Sequence, residues 1–198
     1  MTPRPGPRIP PLPEACWDDA VRAALDRGSS SLRVAKTPNV VGTLLHHPDL
    51  AGRFLAYNGL FVTDSTIDVR LRELLILTVA RAARSPYEWL QHVRTAERYG
   101  VGPEDIGAIA AGARLDSWSP AEVAAVDAAA QLLDGYSVDD ATWSRLMTHF
   151  DYRQVVEIVF AVGTYACLAM SVNAFRVQLD PELENIDRSA VAGWGGDQ

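Results

Sequence analysis

Residues Glu73 to His92 read ELLILTVARAARSPYEWLQH. An acid opens the stretch, a nearly all-apolar run comes next, Arg84-Ser85-Pro86 breaks it, and beyond the break Glu88 and His92 stand four residues apart. The run from Leu74 to Ala80 is apolar on almost every side, which predicts a helix in the centre of the molecule rather than on its surface. Glu88 and His92 share one helical face. At 1.5 Å per residue Glu73 lies about 16 Å before the break and His92 about 12 Å after it, so two antiparallel helices bring them to a similar depth. A buried carboxylate without a partner costs several kcal/mol, so Glu73 pairs, faces a polar pocket, or titrates abnormally.

Simpler readings stand beside this one. Glu73 follows Arg70 and Arg72 and can close a helix-end salt bridge. Glu88 falls in the first turn of its helix, where an acid favours the dipole. A single histidine is often a structural one. As a trio, however, His92 with two nearby carboxylates can exchange a proton with a carbon next to a carbonyl. In that scheme His92 is the general acid/base, Glu73 its partner or second proton carrier, and Glu88 the orienter. Tyr87 and Trp89 are candidate walls for a flat substrate, and no cofactor is required.

Outward from the hairpin the chain reads as helix after helix, with no alternating strand pattern, which predicts an all-α fold. Expected helices cover 13–27, 39–46, 48–61, 67–83, 86–99, 103–111, 119–133, 139–150 and 152–171. Gly100 marks a C-terminal stop, and Ser119-Pro120-Ala121-Glu122 is a capping box with proline at the first helical position. Ser29-Ser30-Ser31 breaks the chain after the first helix. Arg153-Gln154-Val155-Val156-Glu157-Ile158 echoes Arg72-Glu73-Leu74-Leu75-Ile76-Leu77. Nineteen residues beyond Gln154 stands Asn173, as His92 stands nineteen beyond Glu73. The echo is either a pseudo-repeat of two helical hairpins or a coincidence of two apolar helices with polar starts. It makes Asn173 and Arg176 candidate substrate-binding residues.

Composition bounds the rest. With 198 residues, 48% of them hydrophobic, one domain is expected over 14–182, with a flexible proline-rich arm at 1–13 and a flexible tail at 183–198. The net charge of −7 and the lack of a basic patch argue against nucleic acid. No stretch reaches the roughly 20 uninterrupted apolar residues of a membrane helix, since 155–172 contains Glu157, Gly163 and Thr164. Residues 1–13 lack the apolar core of a signal peptide. Cys16 and Cys167 form no disulfide framework, pointing to the cytoplasm, and Cys167 reads as a buried small apolar residue. Ala-rich faces at 108–111 and 124–130 suit close helix packing and self-association.

Glu73, the break at Ser85-Pro86 and His92 resemble the signature of the alkyl hydroperoxidase D and carboxymuconolactone decarboxylase superfamily: a glutamate, two cysteines two residues apart, and a histidine. Counted from Glu73, the cysteine positions hold Ser85 and Glu88. The chain thus looks like the cysteine-free, decarboxylase-like branch, in which a run such as Tyr87-Glu88-Trp89-Leu90-Gln91-His92 is typical. The likeness covers about residues 38 to 179, including His47-Pro48-Asp49-Leu50 and Ala96-Glu97-Arg98-Tyr99-Gly100-Val101. It implies a helical bundle, a homo-oligomer (dimer, trimer or hexamer), and a lyase acting on a small lactone acid. Thiol peroxidase chemistry needs an attacking thiolate and a resolving thiol, which Ser85 and Glu88 cannot supply. Besides hydrolysis or cyclisation of a lactone-like metabolite by the same proton-transfer residues, two alternatives remain. One is a non-catalytic helical oligomer or small-ligand-binding protein whose hairpin is an ion-pair network. The other is a metal-dependent lyase or hydrolase using His92, Glu73 and Glu88, with His46 or His47.

Overall fold

The computed structural model describes residues 6–28, 36–183, 185–192 and 194. The Ser29-Ser30-Ser31 break, the first five residues of the expected arm and the last four of the expected tail lie outside them. Among the described residues there are helices and turns and no strand, in keeping with the all-α expectation. The chain forms two compact units, Met1–Ser65 with Ser171–Glu184, and Thr66–Met170 with Asn185–Gln198.

The first unit is built on α1 (Asp19–Gly28), α2 (Asn39–Leu44) and α3 (Pro48–Thr63). The helix expected from Pro13 is instead a 3-10 turn at Glu14–Cys16 followed by α1. The Asp18 carboxylate accepts the Val21 N–H at 2.9 Å and so restarts the helix there. α1 and α3 pack closely, since a methyl placed on Gly28 would stand 2.5 Å from Leu55 Cβ. Val21, Ala24, Val41, Leu45, Ala51 and Leu55 form the core. Within the segment expected as an arm, Arg8 N–H donates to the Phe175 carbonyl and Leu12 N–H to that of Gly42, each at 2.9 Å.

The second unit is arranged around α4 (Val69–Ala82). It starts at Val69 rather than Ile67 because Asp68 caps it, accepting the Arg70 N–H at 2.8 Å. Leu74, Leu75, Ile76 and Leu77 are at most 1 % exposed, and each such burial stabilises by roughly 1.5–3 kcal/mol. The expected central helix is therefore central. Around it pack α5 (Pro86–Ala96), α6 (Pro103–Ala111) and α7 (Pro120–Gly135), with α8 (Asp140–His149) against α7. α5 stops at Ala96, three residues early, in a 3-10 turn closed by Gly100 at φ 79°. Ala124, Ala125, Ala128 and Ala129 have no exposed surface and let α7 approach closely. A polar tie joins three helices at one end. Arg70 grips Asp105 with both Nη atoms, at 2.8 and 2.9 Å, and Glu122 through Nε at 2.7 Å, while Trp118 Nε1 donates to Asp105 at 2.6 Å.

The last long helix, α9 (Tyr152–Phe175), is four residues longer than expected and crosses from the second unit into the first at Ser171. Gln154, the counterpart of Glu73 in the echo, caps it, accepting the Asp151 N–H at 3.1 Å and donating to the Thr66 carbonyl at 3.1 Å. By length and composition α9 reaches what a membrane span requires, which corrects the expectation that no stretch does. The cause is that no charged residue follows Glu157 before its end. One side of it, Val155, Ile158, Val162, Tyr165 and Ala169, belongs to the core of the second unit. Cys167, expected to be buried, is exposed, because the apolar run is wider than the face the core covers.

Candidate active site

The turn between α4 and α5 is held by the backbone. Arg84 adopts the left-handed region at φ 47°, Ser85 N–H reaches the Ala80 carbonyl at 2.9 Å, and Arg84 N–H that of Arg81 at 3.0 Å. This is a Schellman-type ending with arginine where glycine is usual. It folds α5 back along α4 and delivers His92 to Glu73.

Glu73 is 1 % exposed and uses both carboxylate oxygens. Oε2 accepts from His92 Nδ1 at 2.7 Å, and Oε1 from Arg72 Nη2 at 3.0 Å. Arg72, itself 6 % exposed, lies against the Tyr99 ring with its guanidinium carbon 5.5 Å from the ring centre. Tyr165 of α9 meets the His92 ring edge-on at 5.5 Å and 86°. The imidazole is thus fixed in place and orientation. With Nδ1–H donating to Glu73, Nε2 is the nitrogen left to react, and it carries no hydrogen bond to a described residue.

Charge follows the same geometry. Burial opposes ionisation of Glu73, but the charge and hydrogen bond of His92, reinforced by Arg72, outweigh it and hold the carboxyl below its ordinary range. Burial lowers the His92 pKa, yet the Glu73 charge and hydrogen bond, with a further contribution from Glu88, raise it above 6.5 despite Arg72. Glu88 is different. It is 3 % exposed, makes no hydrogen bond to a described residue, and burial pushes its pKa up to about 7, with the charge of His92 pulling the other way.

A comparison within the chain shows how unusual Glu88 is. α5 opens with Ser85-Pro86-Tyr87-Glu88 and α7 with Ser119-Pro120-Ala121-Glu122, both capping-box sequences with proline at the first helical position. In α7 the box closes: Glu122 N–H donates to Ser119 Oγ at 3.2 Å, and Glu122 Oε2 accepts from Ser119 N–H at 2.7 Å. In α5 it stays open, because the Ser85 N–H is already taken by Ala80. Ser85 Oγ is buried with no hydrogen-bond partner. Ser85, Glu88 and His92 therefore line up at helical steps of three and four, each presenting a polar atom that the fold does not use.

The sequence brought His92, Glu73 and Glu88 together as candidates, and the structure places all three around one hairpin, with Glu73 rather than Glu88 orienting the imidazole. Trp89 is 1 % exposed and stacks edge-on against Trp194 at 5.1 Å, inside the segment expected as a flexible tail. Tyr87 is 4 % exposed, and its hydroxyl accepts from Gln91 at 3.4 Å. Asn173 and Arg176 belong to the other unit, where Arg176 has φ 53° and its N–H donates to the Asn173 carbonyl at 3.2 Å. The salt bridge weighed for Glu73 is present, with Arg72 as its second anchor, while Tyr165 as the neighbour of His92 was missed by sequence reasoning. The repeat of the S-P-x-E tetrapeptide was the available signal for Ser85. Among the described residues no three His, Cys, Asp or Glu side chains are grouped to hold a metal ion, and the two oxygens of Glu73 are already engaged.

Residues 48–131 match the model of the Carboxymuconolactone decarboxylase family. No curated protein matches the chain by sequence. Among solved structures, an uncharacterized peroxidase-related protein with an alkylhydroperoxidase AhpD core from Ralstonia eutropha JMP134 is similar. It has a TM-score of 0.74 at 22% identity, over 88% of this chain and 94% of that one. A peroxidase-related protein from Silicibacter sp. TM1040 gives 0.73 at 17%, over 92% and 98%. The debrominase Bmp8 C82A, in complex with 2,3,4-tribromopyrrole, gives 0.71 at 18%, over 94% and 96%. At these identities the structures show the fold, an alkylhydroperoxidase AhpD-like helical bundle, and the match at 48–131 contains the whole α4–α5 hairpin.

Proposed function

We propose that the chain is a cofactor-independent enzyme that moves a proton to or from a carbon beside a carbonyl in a small carbonyl or lactone acid. The reaction is a decarboxylation or a related proton transfer, of carboxy-lyase type. One observation carries the reading: Glu88 is a buried carboxyl withheld from the capping box its sequence encodes, on the same helical face as His92.

The division of labour follows from the geometry. Glu73, anchored by Arg72, holds His92 with Nε2 outward. Burial raises the Glu88 pKa to about 7 and the Glu73 charge raises that of His92, so each of the two neighbours can hold a proton and pass it on. In a decarboxylation the C–C bond breaks, CO2 leaves, the electron pair enters an enolate, and protonated His92 or Glu88 delivers a proton to carbon. In an isomerisation His92 removes the proton and returns it at a second carbon. Glu73 thereby takes the orienting part expected of Glu88, and Glu88 becomes the second proton carrier. Serine and glutamate at the superfamily's cysteine positions support a reaction other than thiol peroxidation. That a debrominase of this fold is seen with a small bromopyrrole supports a small flat ligand here.

A panel of β-keto and β,γ-unsaturated lactone acids incubated in D2O tests the reading, with deuterium incorporation at carbon and CO2 release followed together. Turnover of a panel member is expected, lost in His92→Ala and lowered on the order of 10²–10⁴-fold in Glu88→Gln. Turnover that survives both substitutions would overturn the assignment.

A further inference from the structure

The buried core shared by α4, α7, α8 and α9 is made of alanine, valine, leucine and isoleucine with one exception among the described residues, Tyr165 of α9. Its side chain is 5 % exposed, and its hydroxyl makes no hydrogen bond to a described residue. Packing accounts for the ring, and phenylalanine would serve it equally. The oxygen is another matter, because a hydroxyl taken out of water without a bond is costly and buried tyrosines ordinarily place that atom on a partner.

Tyr165 stands where such a group has a use. Its ring meets the His92 imidazole edge-on, with 5.5 Å between centres at 86°. It arrives from α9, whereas Glu73 belongs to α4, and Glu88 and His92 to α5. Burial pushes the phenol pKa well above 10, and the charges of Glu73 and Glu88 add to this against that of Arg72, so the hydroxyl keeps its proton. A neutral phenol beside the imidazole is a hydrogen-bond donor and not a third base.

Proton removal from a carbon beside a carbonyl, or loss of CO2 from a β-keto acid, moves an electron pair onto the carbonyl oxygen, and that oxygen needs a donor. His92 and Glu88 are occupied with the proton. Glu73 is an anion, and Arg72 Nη2 is committed to it. Two hydroxyls remain, those of Tyr165 and Ser85. Ser85 lies seven residues before His92, about 10 Å away along α5, while Tyr165 touches the imidazole ring. Resting on the proton-transfer reading, we propose that the Tyr165 hydroxyl binds the carbonyl oxygen of an enolisable keto or lactone substrate and holds the enolate charge while His92 moves the proton at carbon. The phenol keeps its own proton throughout. The electron pair returns from oxygen when His92 or Glu88 protonates the carbon.

The test compares the wild type with Tyr165→Phe, which removes one oxygen and keeps the packed ring. The probe is tetronate, the stable enolate of a five-membered β-keto lactone, titrated at pH 7 by calorimetry beside turnover of the lactone-acid panel. Tetronate is expected to bind the wild type and to bind Tyr165→Phe roughly 10- to 100-fold more weakly, as loss of a hydrogen bond to a charged oxygen requires. The kcat falls on the order of 10²–10³-fold with KM little changed, and the Tm is not lowered, since the fold makes no use of the oxygen. Weaker tetronate binding without turnover of any panel member keeps the oxygen site and strikes the proton-transfer reading. Equal affinity in the two proteins overturns the inference alone. So does a loss of affinity in Ser85→Ala but not in Tyr165→Phe, which hands the oxygen to Ser85. A lowered Tm in Tyr165→Phe, or a wild type that does not bind tetronate, overturns it as well.

Discussion

Glu88 is a carboxyl that the fold holds against its own charge. Its pKa stands at about 7 in the folded chain against an ordinary 4.5, because burial disfavours the charge. The folded state then binds more protons than the unfolded state between these values, so stability falls as pH rises from 4.5 to 7 and stays lowered above that. The difference corresponds to about 3 kcal/mol. Glu88→Gln is therefore expected to raise stability by up to about that amount at pH 8, and to change little at pH 4, by urea unfolding at the two pH values. A substitution that stabilises equally at both would mean that the carboxyl is not held against its charge. The sequence made Glu88 visible as a neighbour of His92, since four residues on a helix suffice. It did not reveal which carboxylate meets the imidazole. That depends on the turn at Arg84, which brings Glu73 in from nineteen residues away.

At the scale of elements, local signals were most reliable where nothing else competed for the same atoms. α6 runs over the expected Pro103–Ala111, and the Ser119 box closes as its sequence says. Ser85-Pro86-Tyr87-Glu88 carries the same signal, and the outcome differs because the end of α4 claims the Ser85 N–H first. The price of that arrangement is a non-glycine residue in the left-handed region, at about 1–2 kcal/mol. Arg84 is exposed, so Arg84→Gly relieves this without losing packing. The expected gain is about 1 kcal/mol after the added freedom of glycine in the unfolded chain, or roughly 2–4 °C in Tm by calorimetry. A lower Tm would show that the arginine side chain contributes more than its backbone costs. The end of α9 and the exposure of Cys167 were not legible, because an apolar run does not say how much of its circumference the core will cover.

Across the whole molecule, polar ties connect elements that apolar burial packs, among them Arg114 and Arg145 to Asp127 and Thr66 to Glu157. The Arg70–Asp105–Trp118 cluster joins α4, α6 and the approach to α7. Arg70, chiefly through its hydrogen bonds, brings Asp105 down to about 2 from 3.8, against the effect of burial. A carboxyl lowered in this way contributes stability above its ordinary pKa and loses it as pH falls toward 2. Asp105→Asn is expected to cost about 2 kcal/mol at pH 7 and almost nothing near pH 2, measured by thermal unfolding across the range. A cost that persists at pH 2 would assign the effect to shape rather than charge. Sequence reasoning reached the all-helical class and the central hairpin because both rest on periodicity. The separation into two units depends on long-range packing, which periodicity does not encode.

The α4–α5 turn separates folding from reactivity. Main-chain bonds shape it, through the amides of Ala83, Arg84, Ser85 and Trp89, and neither the Ser85 hydroxyl nor the Glu88 carboxyl takes part. The scaffold is thus indifferent to what those two side chains are, within the space they occupy. Residues at 85 and 88 can be exchanged for others of similar volume without altering the path of the chain, and His92 keeps its seat against Glu73 whatever stands there.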